Sequence, residues 1–295
     1  MKRAMLRAVG RSWPLYSGLG RFVDTGVCRR AANGLPDEVI VRLRSGAAMK
    51  VRPADRIGRS VYFTGELDPK ITWICRRLLR PGDCVLDVGG NCGLVTMNAA
   101  ALVGVEGQVH TFEPQPDLAQ MIRESAAISG FGQVTVHAVA LSDEDGTARL
   151  HVPDGRSGAA SLEGGLKKPG RAIDVKLVRG GAYLEALDLP PIRLMKVDVE
   201  GHEAGVFRGM SDYLTRWPAA AILFESNESG VPFQQREPVR ILRELGYRML
   251  EVPRCLLTMR VCAIGADQSP EHVGHDIVAL HESQYDALAS KLRVR

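Results

Sequence analysis

Five short apolar runs, at 84–88, 109–112, 134–140, 193–198 and 219–224, alternate with helix-like stretches near 93–103, 116–129, 203–215 and 236–245. Parallel strands need long crossovers and helices supply them, so this alternation predicts an α/β fold with helices on both faces of a parallel sheet. Upstream, Asp68-Pro69 and Pro81-Gly82 bracket a predicted helix over 68–79. Residues 39–51 alternate around Ser45-Gly46, the pattern of a β-hairpin. Downstream, Gly246 stops the last crossover helix, and Tyr247–Val252, Asp276–Leu280 and a closing helix from about Ser283 to Leu292 follow. Six or seven strands suit a doubly wound sheet. The Gly-, Ser- and Lys-rich stretch 153–172 has no period and predicts an exposed loop near the ligand side.

The charge is uneven. Residues 1–30 carry Lys2, Arg3, Arg7, Arg11, Arg21, Arg29 and Arg30 against Asp24 alone, whereas the whole chain is only +4. The body is therefore close to neutral, which argues against a nucleic-acid footprint over the whole domain. Aromatic residues make up 5%, too few for a surface that stacks bases. No run approaches the roughly 20 apolar residues of a transmembrane helix. Met5, Val9 and Trp13 can share a helical face. The basic start thus reads either as a segment that packs on the domain or stays mobile, or as an amphipathic helix touching a membrane surface. Six cysteines without CxxC pairs or zinc spacing read as reduced thiols of a cytoplasmic protein. The expected division is a basic segment with a hairpin over 1–57 and a catalytic domain over 58–295.

In an open α/β sheet, ligands bind at the carboxyl ends of the strands. The first strand of the alternation ends in Asp87, and the loop Gly89-Gly90-Asn91-Cys92-Gly93 feeds a helix. Glycines let a ligand approach the backbone, and a helix N-terminus favours a carboxylate. An acidic strand end adds a countercharge for a cation. S-adenosylmethionine presents a carboxylate, an ammonium and a sulfonium together. A dinucleotide loop would need G-x-G-x-x-G, which this spacing does not give. Glu113 ends the second strand, where it can accept hydrogen bonds from ribose hydroxyls. Asp143, after the third strand, stands where an adenine amino group is met, or else caps a turn. The expected cofactor residues are Asp87, Gly89, Gly90, Asn91, Gly93, Glu113 and Asp143.

Residues 194–203, Leu-Met-Lys-Val-Asp-Val-Glu-Gly-His-Glu, place five ionisable groups behind an apolar strand. Lys196 and Asp198 face the same side, two residues apart. Glu203 suits a helix N-terminus for structural reasons.

With these residues in view, the chain resembles the FkbM-type methyltransferases, a branch of the class I S-adenosylmethionine-dependent enzymes. The resemblance runs through Pro81-Gly82-Asp83 to Gly93, Phe112-Glu-Pro-Gln-Pro116, Ala140-Leu-Ser-Asp143 with Gly146, and Lys196–Glu203. Ile222-Leu-Phe-Glu225 and Leu245-Gly-Tyr247 complete it. It covers roughly 58–282. Gly90 stands where the family commonly has Ala, Gly180–Glu185 replaces a Thr-Leu-Asp-like element, and Thr64-Gly-Glu-Leu-Asp68 replaces a usual Tyr-Glu. The resemblance implies a Rossmann-like, doubly wound, mostly parallel seven-stranded sheet with an antiparallel strand near the C-terminus. It also implies methylation of a hydroxyl on a sugar, glycan or polyketide-type small molecule.

An alcohol is a poor nucleophile, so a base or a metal should help remove its proton. Asp198 and His202 are the candidate bases, with Lys196 and Glu200 completing the catalytic set. Lys196 either stabilises an alkoxide or neutralises Asp198. The reading does not favour a metal; were a divalent cation bound, Asp198, Glu200, His202 and Glu225 would be its ligands. Two rival readings are an NAD-dependent oxidoreductase, which leaves Lys196–Glu203 without a purpose, and an inactive nucleoside-binding scaffold. The acceptor and the oligomeric state are not written in the pattern.

Overall fold

The computed structural model describes residues 2–154, 157–162, 169–226, 230–264 and 274–294. The chain opens with α1 (Lys2–Arg11), α2 (Leu19–Val23) and α3 (Gly26–Ala32). The hairpin predicted over 39–51 follows, as β1 (Val39–Arg42) paired antiparallel with β2 (Ala48–Val51). Next come α4 (Arg56–Thr64) and α5 (Pro69–Leu78). Asp68 caps α5, its Oδ1 accepting from Lys70 N at 2.8 Å, and Pro69 opens its first turn.

The alternation then runs β3 (Cys84–Val88), α6 (Leu94–Val103), β4 (Gln108–Phe112), α7 (Pro116–Ser129) and β5 (Val134–His137). After β6 (Ala140–Ser142), β7 (Gly146–Pro153), β8 (Gly170–Arg179) and α8 (Gly180–Glu185), it resumes with β9 (Ile192–Val197), α9 (Glu203–Arg216), β10 (Ala221–Glu225) and α10 (Glu237–Glu244). The chain closes with β11 (Tyr247–Glu251), β12 (Cys262–Ala263), β13 (Asp276–His281) and α11 (Tyr285–Leu292).

The main sheet has the order β12-β11-β13-β10-β9-β3-β4-β5. Strands β5, β4, β3, β9 and β10 are parallel, and β13 runs antiparallel between β10 and β11. This is the predicted seven-stranded, mostly parallel sheet with its antiparallel strand, plus the two-residue edge strand β12. Every residue of β3 is buried, because helices cover both sheet faces. Leu86 and Val88 pack on one side with Val206, Phe207 and Met210 of α9. Val85 packs on the other with Ile74 and Leu78 of α5 and Ala99 and Val103 of α6. Truncating such a buried Leu to Ala costs ~2–5 kcal/mol.

The structure differs from the sequence reading in two places. The run 134–140 is two strands: β5 stays in the main sheet, while β6 leaves it to pair with β8 in a second sheet, β6-β8-β7. The stretch expected to be a loop over 153–172 therefore ends in the β7–β8 ladder, although 155–156 and 163–168 lie outside the described residues. The second difference is α1. Its inward side is formed by Leu6 and Gly10, and a Cβ on Gly10 would stand 2.7 Å from Phe63 O. Met5 and Val9 instead face outward, 66% and 45% exposed. Val23, Cys28, Val41 and Met49 share one core with Cys92, Leu94 and Met97 of the cofactor-loop region, so this part of the basic segment packs on the domain.

Among the described residues no helix is long and apolar enough to cross a membrane. All six cysteines are unpaired.

Candidate functional site

The carboxyl ends of β3, β4, β9 and β10 open into a cavity of about 1070 Å³. Its wall includes Gly89, Gly90 and Asn91 after β3, and Glu113 after β4. Lys196, Asp198, Glu200 and His202 line it at the end of β9, and Glu225 at the end of β10. The two constellations, more than 80 residues apart in the chain, thus meet in one place.

The β3 loop is held against its neighbours by its glycines. Gly89, at φ +80°, sits so close to β9 that a Cβ would stand 2.0 Å from Asp198 O. Gly89 N and Gly90 N both donate to Phe112 O, at 2.9 and 3.1 Å. Gly90 lacks room for the Ala common in the family, since a Cβ would stand 2.3 Å from Thr111 Cγ2. Asn91 takes a left-handed φ of 50°, and its side chain accepts from Cys92 N at 2.7 Å. Gly93, at φ 88°, opens α6 against Ile122.

Glu113 is 3% exposed, and its two oxygens accept from Asn91 N at 2.7 Å and Gln115 N at 2.9 Å. Burial pushes its carboxyl up to about 7, against the pull of those backbone donors. The same carboxylate therefore ties the β4 end to the β3 loop and faces the cavity, with lone pairs left on each oxygen.

Asp87 does not line the cavity. It is fully buried beneath the loop, where Thr96 Oγ1 donates to Oδ2 at 2.6 Å and Oδ1 has no hydrogen-bond partner. Lys196, its direct neighbour in the β3–β9 register, does line the cavity. Lys196 Nζ stands 3.8 Å from Asp87 Oδ1 and 3.2 Å from Asp198 Oδ2, and donates to Gly89 O at 3.1 Å. Burial lowers the affinity of Lys196 for its proton, but Asp198 and Asp87 outweigh it and hold the ammonium above the usual lysine range. Burial also raises Asp87, against the pull of Lys196 and Thr96. Lys196 thus neutralises both aspartates.

Beyond Asp198 the backbone turns sharply, with Glu200 at φ 53° and Gly201 at φ 106°. Glu203 shapes this turn, accepting from Val199 N and Gly201 N, both at 3.1 Å. That is the structural role expected of it. Glu200 stays open to solvent along the cavity wall, yet local desolvation, then Asp198, Glu225 and Glu203, push its carboxyl up to about 7. His202 turns back toward β6, where Nε2 and Ser142 Oγ are 3.0 Å apart.

Asp143 is linked to His202 through Ser142, whose Oγ donates to Asp143 Oδ1 at 3.2 Å. It pairs with Arg208 of α9 at 2.8 Å, which holds its carboxyl below the usual range, and it is not on the cavity wall. Leu141 and Ala140 of β6 line the cavity on that side. Among the described residues no three His, Cys, Asp or Glu side chains are grouped to hold a metal ion. Asp198, Glu200, His202 and Glu225 therefore share a wall without forming a ligand set.

The sequence reading missed a second polar wall, contributed by the α4–α5 loop and the start of β13. Lys70 pairs with Asp276 and lies 3.5 Å from Asp68 Oδ2, and buried Glu66 lines the same cavity. The only signal was the altered stretch Thr64–Asp68, whose distance from the strand ends along the chain hid its place.

Residues 87–249, more than half of the chain, match the methyltransferase FkbM domain family. The chain is 29% identical over 174 residues to the hexuronic acid methyltransferase AglP of Haloferax volcanii, covering 57% of this chain and 66% of that protein. It is 32% identical over 171 residues to the 31-O-demethyl-FK506 methyltransferase FkbM of Streptomyces tacrolimicus, covering 48% and 63%. It thus spans less than two thirds of the length of these curated relatives. Among solved structures, the methyltransferase FkbM of Methylobacillus flagellatus KT aligns with a TM-score of 0.39 at 9% identity, over 95% of this chain and 58% of that one.

Proposed function

The chain belongs to the methyltransferase FkbM domain family, and from that premise we propose that it uses S-adenosylmethionine to O-methylate a hydroxyl on a sugar, glycan or polyketide-type small molecule. The observation that carries this reading is the convergence of Gly89–Asn91, Glu113 and Lys196–His202 on one cavity large enough for a cofactor and an acceptor. The hexuronic acid and FK506 methyltransferases among its relatives support both kinds of acceptor.

The residues present fit the cofactor. Glu113 offers lone pairs to ribose hydroxyls, and the glycine backbone allows close approach at the start of α6. The cavity wall is rich in carboxylates, Glu66, Asp198, Glu200 and Glu225 among them, which suits a cationic group. When bound, S-adenosylmethionine supplies a methyl group already activated on a sulfonium. The chain's own task is then to position and deprotonate the acceptor. Asp198, fixed by Lys196, orients the acceptor hydroxyl. Glu200 takes its proton, because a carboxyl near 7 is a far better base at neutral pH than an ordinary one. A strained backbone at Glu200 fits a residue held for function. His202, engaged by Ser142, shapes the wall beside it.

The test is incubation with methyl-labelled S-adenosylmethionine and a panel of uronic acids, neutral glycosides and macrolide alcohols. Label in an alkali-stable ether supports the proposal. Label only in alkali-labile esters, or in none of the panel while S-adenosylhomocysteine fails to bind, overturns it.

A further inference from the structure

Asp87 is fully buried and does not line the cavity, so the carboxylate that meets a cation there is to be sought among the lining residues. One of them fits that part. Glu66 is 3% exposed and lines the cavity, yet among the described residues no cation lies within ion-pair distance of it. Burying a carboxylate without a partner is costly, and it is retained only where something offsets the cost. The loop around it is built to hold it. Gly65 takes a left-handed φ of 68°, Ser60 Oγ donates to Glu66 O at 3.2 Å, and Glu66 N donates to Thr64 Oγ1 at 3.1 Å. The Glu66 carboxylate takes hydrogen bonds from Leu67 N, at 3.1 Å to Oε1, and from the Thr72 side chain, both neutral donors that leave its charge without a counter-ion among the described residues.

Its position narrows the ligand. Glu66 lies in the α4–α5 loop just ahead of α5, whose Ile74 and Leu78 pack against Val85 of β3, while Glu113 follows β4 on the other side of β3 from β9. A cofactor whose ribose meets Glu113 therefore extends its amino-acid end toward Glu66. Its sulfonium must face the acceptor at Asp198 and Glu200, which leaves the ammonium as the cation for Glu66. We infer that Glu66 binds the α-ammonium of the cofactor's amino-acid moiety. This rests on the methyltransferase reading above. Burial pushes the carboxyl up to about 7 against the Thr72 hydrogen bond, consistent with a site whose partner is a bound cation.

The test compares S-adenosylhomocysteine with its analogue lacking the α-amino group, by equilibrium titration of the full chain in mildly alkaline buffer. The wild type should favour the amino compound by about tenfold or more, the size of a charge-assisted pair. Glu66→Gln should lose that preference and still bind the deaminated analogue like the wild type. Glu66→Asp, which keeps the charge on a shorter stem, should fall between them and serves if the Gln variant does not fold. An unchanged preference in Glu66→Gln, or in Glu66→Asp where that variant serves, overturns the inference, as does equal loss of both ligands. If the wild type binds neither ligand, the methyltransferase reading itself fails.

Discussion

Replacing Lys196 by Met should expose what this lysine does. The side chain is buried and contacts Asp87, Asp198 and Gly89 O, so the substitution removes the only cation within ion-pair reach of Asp87 among the described residues. Breaking a buried pair by deleting one partner costs ~3–5 kcal/mol. Asp87 can escape part of this by taking a proton. At about pH 7, protonating a group whose unfolded pKa is near 3.9 costs roughly 4 kcal/mol, at about 1.4 kcal/mol per pH unit. The two figures agree, so the neutral route sets the cost. The sign follows from linkage. With its folded pKa raised, Asp87 imposes no penalty well below its unfolded value and an increasing one as pH rises. Because burial already raises Asp87 in the wild type, these costs are upper bounds: denaturant unfolding of wild type and variant should differ by up to roughly 4 kcal/mol near neutral pH and by up to about 1–2 kcal/mol near pH 5. Adding Asp87→Asn should restore much of the loss. A difference below about 1 kcal/mol, or one independent of pH, would refute this account of the Asp87–Lys196 pair.

Gly89→Ala must displace Asp198 O from 2.0 Å and hold a left-handed φ, so it should lower the melting temperature and abolish S-adenosylhomocysteine binding, read by thermal shift and titration. Glu66 and Glu113, both buried and raised to about 7, impose a penalty that grows between their unfolded and folded pKa values. The ligand-free protein should thus gain about 2 kcal/mol per group as pH falls from about 8 to about 5.5, measured by denaturant unfolding. Glu200→Gln should lower kcat at least about a hundredfold and remove the ascending limb of the pH profile near 7, with S-adenosylhomocysteine affinity unchanged. Asp143→Ala should change that affinity by less than about threefold, since Asp143 serves an ion pair with Arg208 away from the cavity wall.

The sheet was legible because its central strands β3, β9 and β10 are buried almost throughout and so read as apolar runs flanked by breakers. The β6-β8-β7 sheet was not, although Ile173, Val175 and Leu177 alternate, because a Gly- and Lys-rich stretch precedes them and masks the period. Glu113 and Asp198 could be placed at strand ends, with Glu200 in the loop beyond, because parallel strands joined by helices bring all their carboxyl ends to one side of the sheet. Asp87 was placed at the right strand end, but its register against Lys196, which buries it, depends on tertiary pairing. Glu66, Lys70 and Asp276 come to the cavity from an N-terminal loop and an antiparallel strand, connections that no local pattern encodes.

The central claim is that Gly89–Asn91, Glu113 and Lys196–His202 form one S-adenosylmethionine site, and titration with S-adenosylhomocysteine and NADH tests it most directly. The account predicts saturable binding of S-adenosylhomocysteine to one site per chain, weakened by Glu113→Ala, and no binding of NADH. Binding of NADH with none of S-adenosylhomocysteine would contradict it.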